Sequence, residues 1–398
     1  MVAGLAHEGF PIGPEFECRF THILYSDAST GHQIKAGRQM NVMMKHSSRT
    51  RSPHAGPVLP LIPFAVLWLA AAACGSDPDA GGDADTPAVA LLTAGPVSDA
   101  GWYAGAYEGL QLIGDSLGFR VSHQQTRTPA EFDEAFISYA ESGYGLIFGH
   151  GFEYQDAASR AGEMYPDVTF VVSSGSRSAA NVVPIIFGLH EASYLAGMAA
   201  GSVTQSGNVG MVGGVEIPSA KGTFIAFEAG VKAVMPDAVV LETFIGSWDD
   251  VSAAKEAAAA QLRQGADVLI HNVDAASFGV FQAVREAREG GRTAWAFGMN
   301  RDQNDVAPDV ILGSAAINIP TIFLQTALDW QAGTLAGPTI TGLVGGSVEF
   351  VPSPAHEGVI PADALARIDE ARAAIIAGTL EVPKINFLEP AGGEPPSS

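Results

Sequence analysis

Ala88-Val-Ala-Leu-Leu-Thr93-Ala-Gly-Pro-Val-Ser-Asp99-Ala-Gly-Trp102-Tyr103-Ala-Gly-Ala-Tyr107-Glu-Gly109 is the stretch on which the fold turns. Its first six residues are an unbroken apolar run closed by Thr93, the pattern of a strand buried on both faces. A Gly-Pro turn ends the strand, and Asp99 precedes a helical run. In an open α/β sheet, ligands bind at the loops leaving the carboxyl ends of strands. Asp99, Trp102 and Tyr103 lie in such a loop, where a carboxylate supplies an acceptor and an indole a flat stacking surface. The loop holds no nucleophile beside a base, so it reads as a binding loop.

Downstream the same alternation continues. Strands are expected at Ala88–Thr93, Arg120–Gln124, Gly145–Gly149, Val168–Ser173 and Val182–Phe187, with helices over Tyr103–Leu117, Pro129–Ser142 and Gln155–Met164. A second series opens with a helix over Glu191–Thr204. Its strands are Asn208–Val212, Val239–Thr243, Val268–His271 and Thr293–Gly298, and its helices Ala220–Val234, Val251–Gln264 and Ala276–Glu289. This is the signature of two βαβ halves, each a parallel sheet covered on both faces. Val310–Trp330 adds a strand and a helix, and Pro361–Ala377 a last helix. The expected division is 88–187 with 314–345 as one lobe, 188–313 with 346–388 as the other, and 389–398 as a disordered tail.

Upstream, residues 1–42 lack periodicity and read as a leader that is disordered or not translated. From Met43 a different pattern starts. Lys45, Arg49 and Arg51 precede an apolar run, Val58 to Ala73, that ends in Ala70-Ala-Ala-Ala73-Cys74. The run is shorter than the ~20 residues of a spanning helix, and small residues before Cys74 suit a cleavage site. Residues 43–73 thus resemble a bacterial lipoprotein signal, with Cys74 as the lipidated first residue of the mature chain. Ala71 stands where Leu is commonest in such signals. Residues 74–87 are acidic and rich in Gly and Pro, a flexible tether.

The 398 residues carry a net charge of −22, against a basic face for nucleic acid or anionic lipid. Cys18 and Cys74 are the two cysteines, and neither sits in a zinc or disulfide framework. Other strand-end loops add site candidates: Gly149-His150-Gly-Phe152-Glu-Tyr-Gln-Asp156, Gly246-Ser-Trp248-Asp-Asp250 and Gly298-Met-Asn300-Arg-Asp302-Gln303. Trp102, Phe152 and Trp248 suit the sandwiching of a flat ring, and Asp99, Asp156, Asn300 and Asp302 offer polar contacts. Plainer roles stand beside these. Asp249 suits a helix cap, and His150 and His271 suit strand-end histidines held by backbone partners. The chain has no GxSxG, HExxH, P-loop or GxGxxG opening a helix after the first strand, which argues against hydrolase and dinucleotide chemistry.

The blocks Gly95-Pro-Val-Ser-Asp99-Ala-Gly-Trp102, Gly149-His-Gly-Phe152, Tyr165-Pro-Asp-Val-Thr-Phe170, His190-Glu-Ala-Ser-Tyr-Leu-Ala-Gly197, Gly207-Asn-Val-Gly-Met-Val-Gly-Gly214 and Gly246-Ser-Trp-Asp-Asp250 occur in order. With them, residues 88 to 345 resemble the basic membrane protein family of nucleoside-binding lipoproteins that serve ABC importers. The resemblance implies a type I periplasmic-binding-protein fold, two Rossmann-like α/β lobes with parallel sheets around a ligand cleft. It implies a monomer with no catalytic residue, metal or cofactor, held by lipid at Cys74 on the outer side of a membrane (periplasmic in a Gram-negative cell). An ABC permease and a purine-like small molecule are the implied partners. Trp102 and Trp248 match the family's aromatic clamps, and Asp99 and Asp156 its polar contacts. Asn300 replaces a ribose-anchoring Asp, Ile317 a lysine, Tyr103 an Asn and Thr93 an Asp. Ring stacking is thus kept while charge-assisted anchors are lost, so the expected ligand is a purine nucleoside, a nucleobase or a similar flat heterocycle. The competing readings are a ligand sensor for a membrane signalling partner and a nucleoside-cleaving hydrolase.

Overall fold

The computed structural model describes residues 86–386 and residue 388. The expected leader, signal segment, Cys74, most of the tether and the tail lie outside the described residues.

The first series of elements is β1 (Ala88–Thr93), α1 (Trp102–Leu117), β2 (Arg120–Gln125), α2 (Pro129–Glu141), β3 (Leu146–His150), α3 (Gln155–Met164), β4 (Thr169–Ser173) and β5 (Val182–Ile186). The second is α4 (Leu189–Val203), β6 (Asn208–Gly213), α5 (Pro218–Val234), β7 (Val239–Phe244), α6 (Val251–Arg263), β8 (Val268–Asn272), α7 (Ser277–Glu289), β9 (Trp295–Asn300) and β10 (Ile311–Ile317). The chain finishes with α8 (Ile319–Gln331), β11 (Thr339–Ile340), β12 (Val348–Pro352) and α9 (Ala362–Ile376).

β1 shows why the sheets form. All six of its residues are buried. Val89 and Leu91 join one apolar cluster, while Ala88, Ala90 and Leu92 join the cluster on the opposite face. A period of two with both faces apolar demands helices above and below the sheet. The outermost strands differ: β2 reads Arg-Val-Ser-His-Gln-Gln and is only partly buried, so a polar edge closes the sheet to further pairing. Helix starts follow local chemistry as well. Thr128 accepts the Glu131 N–H at the start of α2, while Glu131 Oε2 accepts the Arg127 N–H at 2.7 Å, a reciprocal cap beside Pro129.

The two sheets have the orders β11-β5-β4-β3-β1-β2 and β12-β10-β9-β8-β6-β7. Every pairing is parallel except β10 with β12, where Ile317 faces Val348. β10 ends at the cleft and β12 starts there, so the incoming chain can only run the opposite way. The chain crosses between the sheets three times: from β5 to α4, from β10 to α8, and between β11 and β12. The expected boundary between residues 313 and 314 is therefore corrected. It would cut β10, which belongs whole to the second sheet, and the crossing follows Ile317. Residue periodicity marks a buried strand without saying which sheet it joins. The crossings support one another: the Asn318 N–H bonds the Ser347 carbonyl at 2.9 Å, the Thr341 N–H the Ile186 carbonyl at 2.9 Å, and Glu191 accepts the Leu343 N–H at 2.7 Å.

Candidate functional site

Where the carboxyl ends of both sheets meet lies a cavity of about 310 Å³. From the first lobe it is lined by Trp102, Tyr103, Phe152, Glu153 and Phe187, and from the second by Trp248, Asn272, Asp274 and Asn300.

Trp102 is the first residue of α1, and Asp99 sets its position. The fully buried Asp99 carboxylate accepts the N–H groups of Gly101 at 3.2 Å, Tyr103 at 2.8 Å and Ala104 at 2.8 Å. These donors are orphaned by the start of the helix, and a carboxylate answers both their hydrogen-bonding need and the positive helix end. Burial nonetheless pushes the Asp99 carboxyl above its usual range, against the lowering effect of the three bonds. The expectation of Asp99 as a ligand contact is corrected accordingly: its oxygens are taken by backbone, and it does not line the cavity.

Behind the Trp102 indole lies His150, stacked at 3.9 Å between centroids and 27° between planes, with Phe187 edge-on at 5.4 Å. His150 is wholly buried. Its Nε2 lies 3.1 Å from the Trp102 carbonyl and its Nδ1 2.7 Å from the Ser173 hydroxyl. A carbonyl only accepts, so Nε2 carries the proton and Nδ1 accepts from Ser173. Burial drives this imidazole down to about 3, keeping it neutral. His150 is thus a backing plate for Trp102 and not part of the cavity wall, which corrects its expected role as a contact. His271, also fully buried, is held the same way by Gln303 and the Val273 N–H.

Trp248 is held from the other lobe. Its carbonyl accepts the N–H groups of Asp274 at 3.0 Å and Ala276 at 3.1 Å, which ties the loop after β7 to the loop after β8. Its ring lies so close over Gly214 that a Cβ there would fall 2.2 Å from Trp248 Cε3. Helix α6 is capped by Asp250, which accepts the Ala253 N–H, and not by Asp249 as the sequence suggested.

Two expected polar contacts stand away from the cavity. Asp156 is exposed and paired with Arg177, and Asp302 is exposed and accepts the Asn304 N–H at 3.0 Å. Neighbours of Asp302 instead join the lobes: Gln303 Nε2 donates to the Ala100 carbonyl at 3.3 Å, and Arg301 pairs with Glu108 of α1 at 2.7 Å. Asn300 does line the cavity, in the left-handed backbone region at φ 69°. Among the described residues other than glycine, the positive-φ positions are Ala100, Ser174 and Asn300, each in or at the end of a strand-end segment facing the cleft. Short polar Asn tolerates this region; Ala and Ser are held there by their surroundings.

Glu153, Asn272 and Asp274 escaped the expectations from sequence. Glu153 sits in a loop already singled out, and Asp274 follows a strand end that drew notice only for His271. Glu153 and Asp274, together with Asp249, form a group of carboxyls that repel one another. Burial, then Asp99, Asp249 and Glu153, push Asp274 well above its usual range, with the Tyr103 side chain hydrogen-bonded to it. Glu153 is open to the cavity yet ringed by protein, and that surrounding lifts it to about 7. Among the described residues no cluster of three or more His, Cys, Asp or Glu side chains is arranged to hold a metal ion.

The raised Glu153 makes stability depend on pH. Between its ordinary range and about 7 the folded state holds a proton that the unfolded state has lost, so this contribution falls as pH rises through that window. Glu153→Gln keeps the neutral shape at every pH. The variant's melting temperature, relative to wild type, is expected to rise from pH 5 to about pH 7 and to level off above it. A constant difference across that range would remove Glu153 from the group of strained carboxyls.

The profile of the family described as "ABC transporter substrate-binding protein PnrA-like", the Bmp family, matches residues 86–386. The chain belongs to this family. A relative in Lactococcus lactis subsp. cremoris, named ABC transporter nucleoside-binding protein BmpA, is 28% identical over 318 residues, 75% of this chain and 89% of the relative. A putative ABC transporter glucose-binding protein of Haloferax volcanii is 29% identical over 274 residues, 68% of this chain and 65% of the relative. Among solved structures, an ABC transporter solute-binding protein of Aeropyrum pernix K1 superposes with a TM-score of 0.69 at 22% identity, over 74% of this chain and 92% of that one. The chain is thus a member of a family of ABC-transporter substrate-binding proteins, and its two mostly parallel sheets are those of the solute-binding fold.

Proposed function

We propose that this Bmp-family protein captures a purine nucleoside, a nucleobase or a similar flat heterocycle between its lobes and delivers it to an ABC permease. In this reading it works outside the cytoplasmic membrane, tethered through lipid on Cys74. The observation that carries the reading is Trp102, backed on one side by His150 and turned to the cavity. Phe152 and Trp248 line the same space. Aromatic plates bind flat rings whatever their substitution, and each stacked base typically contributes ~1–3 kcal/mol. Asn272, Asn300 and Asp274 give the cavity both acceptors and donors for ring edges. The nucleoside-binding name of the Lactococcus relative points the same way. The glucose-binding name of the Haloferax relative makes sugars the necessary comparison.

A ligand that closes two lobes must bind the closed form better than the open one, and that difference is what a permease reads. The test is a thermal-shift panel of purine and pyrimidine bases, their nucleosides, glucose and other sugars, and amino acids. A true ligand at a hundred times its dissociation constant should stabilise by ~2.7 kcal/mol, a clear rise in melting temperature. Purine bases or nucleosides are expected to give it. A rise with sugars or amino acids alone would overturn the ring-binding reading and leave the fold and family standing.

A further inference from the structure

The cavity has one more wall that no sequence pattern announces. After α9 the chain runs back along the second lobe, and Lys384, Ile385, Asn386 and Leu388 line the cavity. Val382, only 5% exposed, anchors this segment in the core. The Ile385 backbone lies against helix α5, its nitrogen 3.5 Å from where a Cβ on Gly222 would sit.

Lys384 is the single Lys or Arg side chain among the described residues lining the cavity. It makes no ion pair or hydrogen bond with any described residue. Its titratable neighbour is His190 at the start of α4, another lining residue, which burial and the Lys384 ammonium together push down to about 4. His190 is therefore neutral at pH 7 and leaves the ammonium as the local charge. On the same walls Glu191 is occupied with the Leu343 N–H, and Ile317, 5% exposed, offers no polar atom. An ammonium has three donors and no acceptor, so what it recognises is oxygen. With Glu191 on the same walls and no second Lys or Arg lining the cavity among the described residues, the surroundings favour a neutral oxygen-bearing group over a phosphate dianion.

We propose that the segment 382–386 is a ligand-binding element in which Lys384 donates to the hydroxyl-bearing substituent of a ring ligand, selecting a nucleoside over its free base. This rests on the ring-binding reading above and adds to it the part of the ligand that the aromatic plates do not hold. Recognition is thereby divided between strand-end loops for the ring and the carboxyl-terminal segment for the polyol.

The test is calorimetric titration of the full chain as wild type, Lys384→Met and Lys384→Arg, with purine nucleosides, the matching free bases and nucleoside 5′-monophosphates. Lys384→Met is expected to lose roughly tenfold to a hundredfold in nucleoside affinity, the span of one hydrogen bond to a charged group. Lys384→Arg should keep most of that affinity, base affinity should not change in either variant, and all three proteins should melt alike. Unchanged nucleoside affinity in Lys384→Met overturns the proposal, as does an equal loss for base and nucleoside. A 5′-monophosphate bound more tightly than its nucleoside overturns it too. Wild type binding bases but not nucleosides defeats this proposal and spares the ring-binding reading; wild type binding neither defeats both.

Discussion

Trp102→Ala is expected to weaken binding of the ring ligand about tenfold to a hundredfold with little change in melting temperature. The size follows from ~1–3 kcal/mol for a base stacked on an aromatic side chain, where 1.4 kcal/mol is a factor of ten. Trp102 is only partly buried, and the framework that holds it does not depend on its ring. Asp99 grips the backbone N–H groups of Gly101, Tyr103 and Ala104, and His150 bonds the Trp102 carbonyl, so both anchors survive the substitution. What disappears is the plate itself and its stack on His150. Calorimetric titration with a ligand found by the thermal-shift panel measures the loss. Wild-type affinity in the variant would exclude Trp102 from the binding surface, whatever else the cavity holds.

Gly230→Ala should produce the largest loss of stability. Helices α4 and α5 meet backbone to backbone. A Cβ on Gly230 would lie 2.0 Å from the Tyr194 carbonyl oxygen, and one on Gly197 would lie 2.1 Å from that of Phe227. A side-chain tip can swing aside, but a carbonyl within a helix moves only with the helix. Overpacking of this kind typically costs roughly 1–3 kcal/mol, occasionally more, and this site belongs at the top of that span. Alanine's helical preference over glycine, about 1 kcal/mol, works against the loss without cancelling it. A drop of several degrees in melting temperature is expected. Gly222→Ala in the same helix is the control, because its Cβ would meet nothing closer than 3.5 Å. Equal melting temperatures for the two variants would mean that α4 and α5 separate readily and that their contact is not tight in solution.

Much of the fold was legible in the residues. The runs Ala88–Thr93 and Asn208–Gly213 are apolar on both faces, which leaves few options but central parallel strands. Pro129 after Thr128 marks a helix start by removing a donor that a helix does not need there, whereas the helix expected from Ala220 in fact begins at Pro218. The aromatic candidates Trp102, Phe152 and Trp248 follow strand ends, and topology places strand ends at the cleft. The strand and helix readings succeed because they rest on local periodicity; the rule that ties loops to one edge of the sheet is what brings the aromatic candidates to the cavity wall.

The polar half of the site was a matter for the tertiary structure. An Asp in a strand-end loop can turn to backbone, to a neighbouring cation or to the cavity, and the sequence around it is the same in each case. Asp99 turns to three N–H groups, Asp156 to Arg177 and Asp302 to Asn304, while Asp274 and Glu153 line the cavity. Likewise Ile311–Ile317 takes its place in the second sheet between Trp295–Asn300 and a strand distant in sequence, Val348–Pro352. The clearest instance is Lys384, brought to a cavity whose aromatic walls begin at Trp102, across almost the whole length of the body. Amino-acid order determined which segments are strands, which are helices and which loops carry rings. Only folding decided which charges those rings keep company with, because pairing between distant segments leaves no mark on the local pattern of either one.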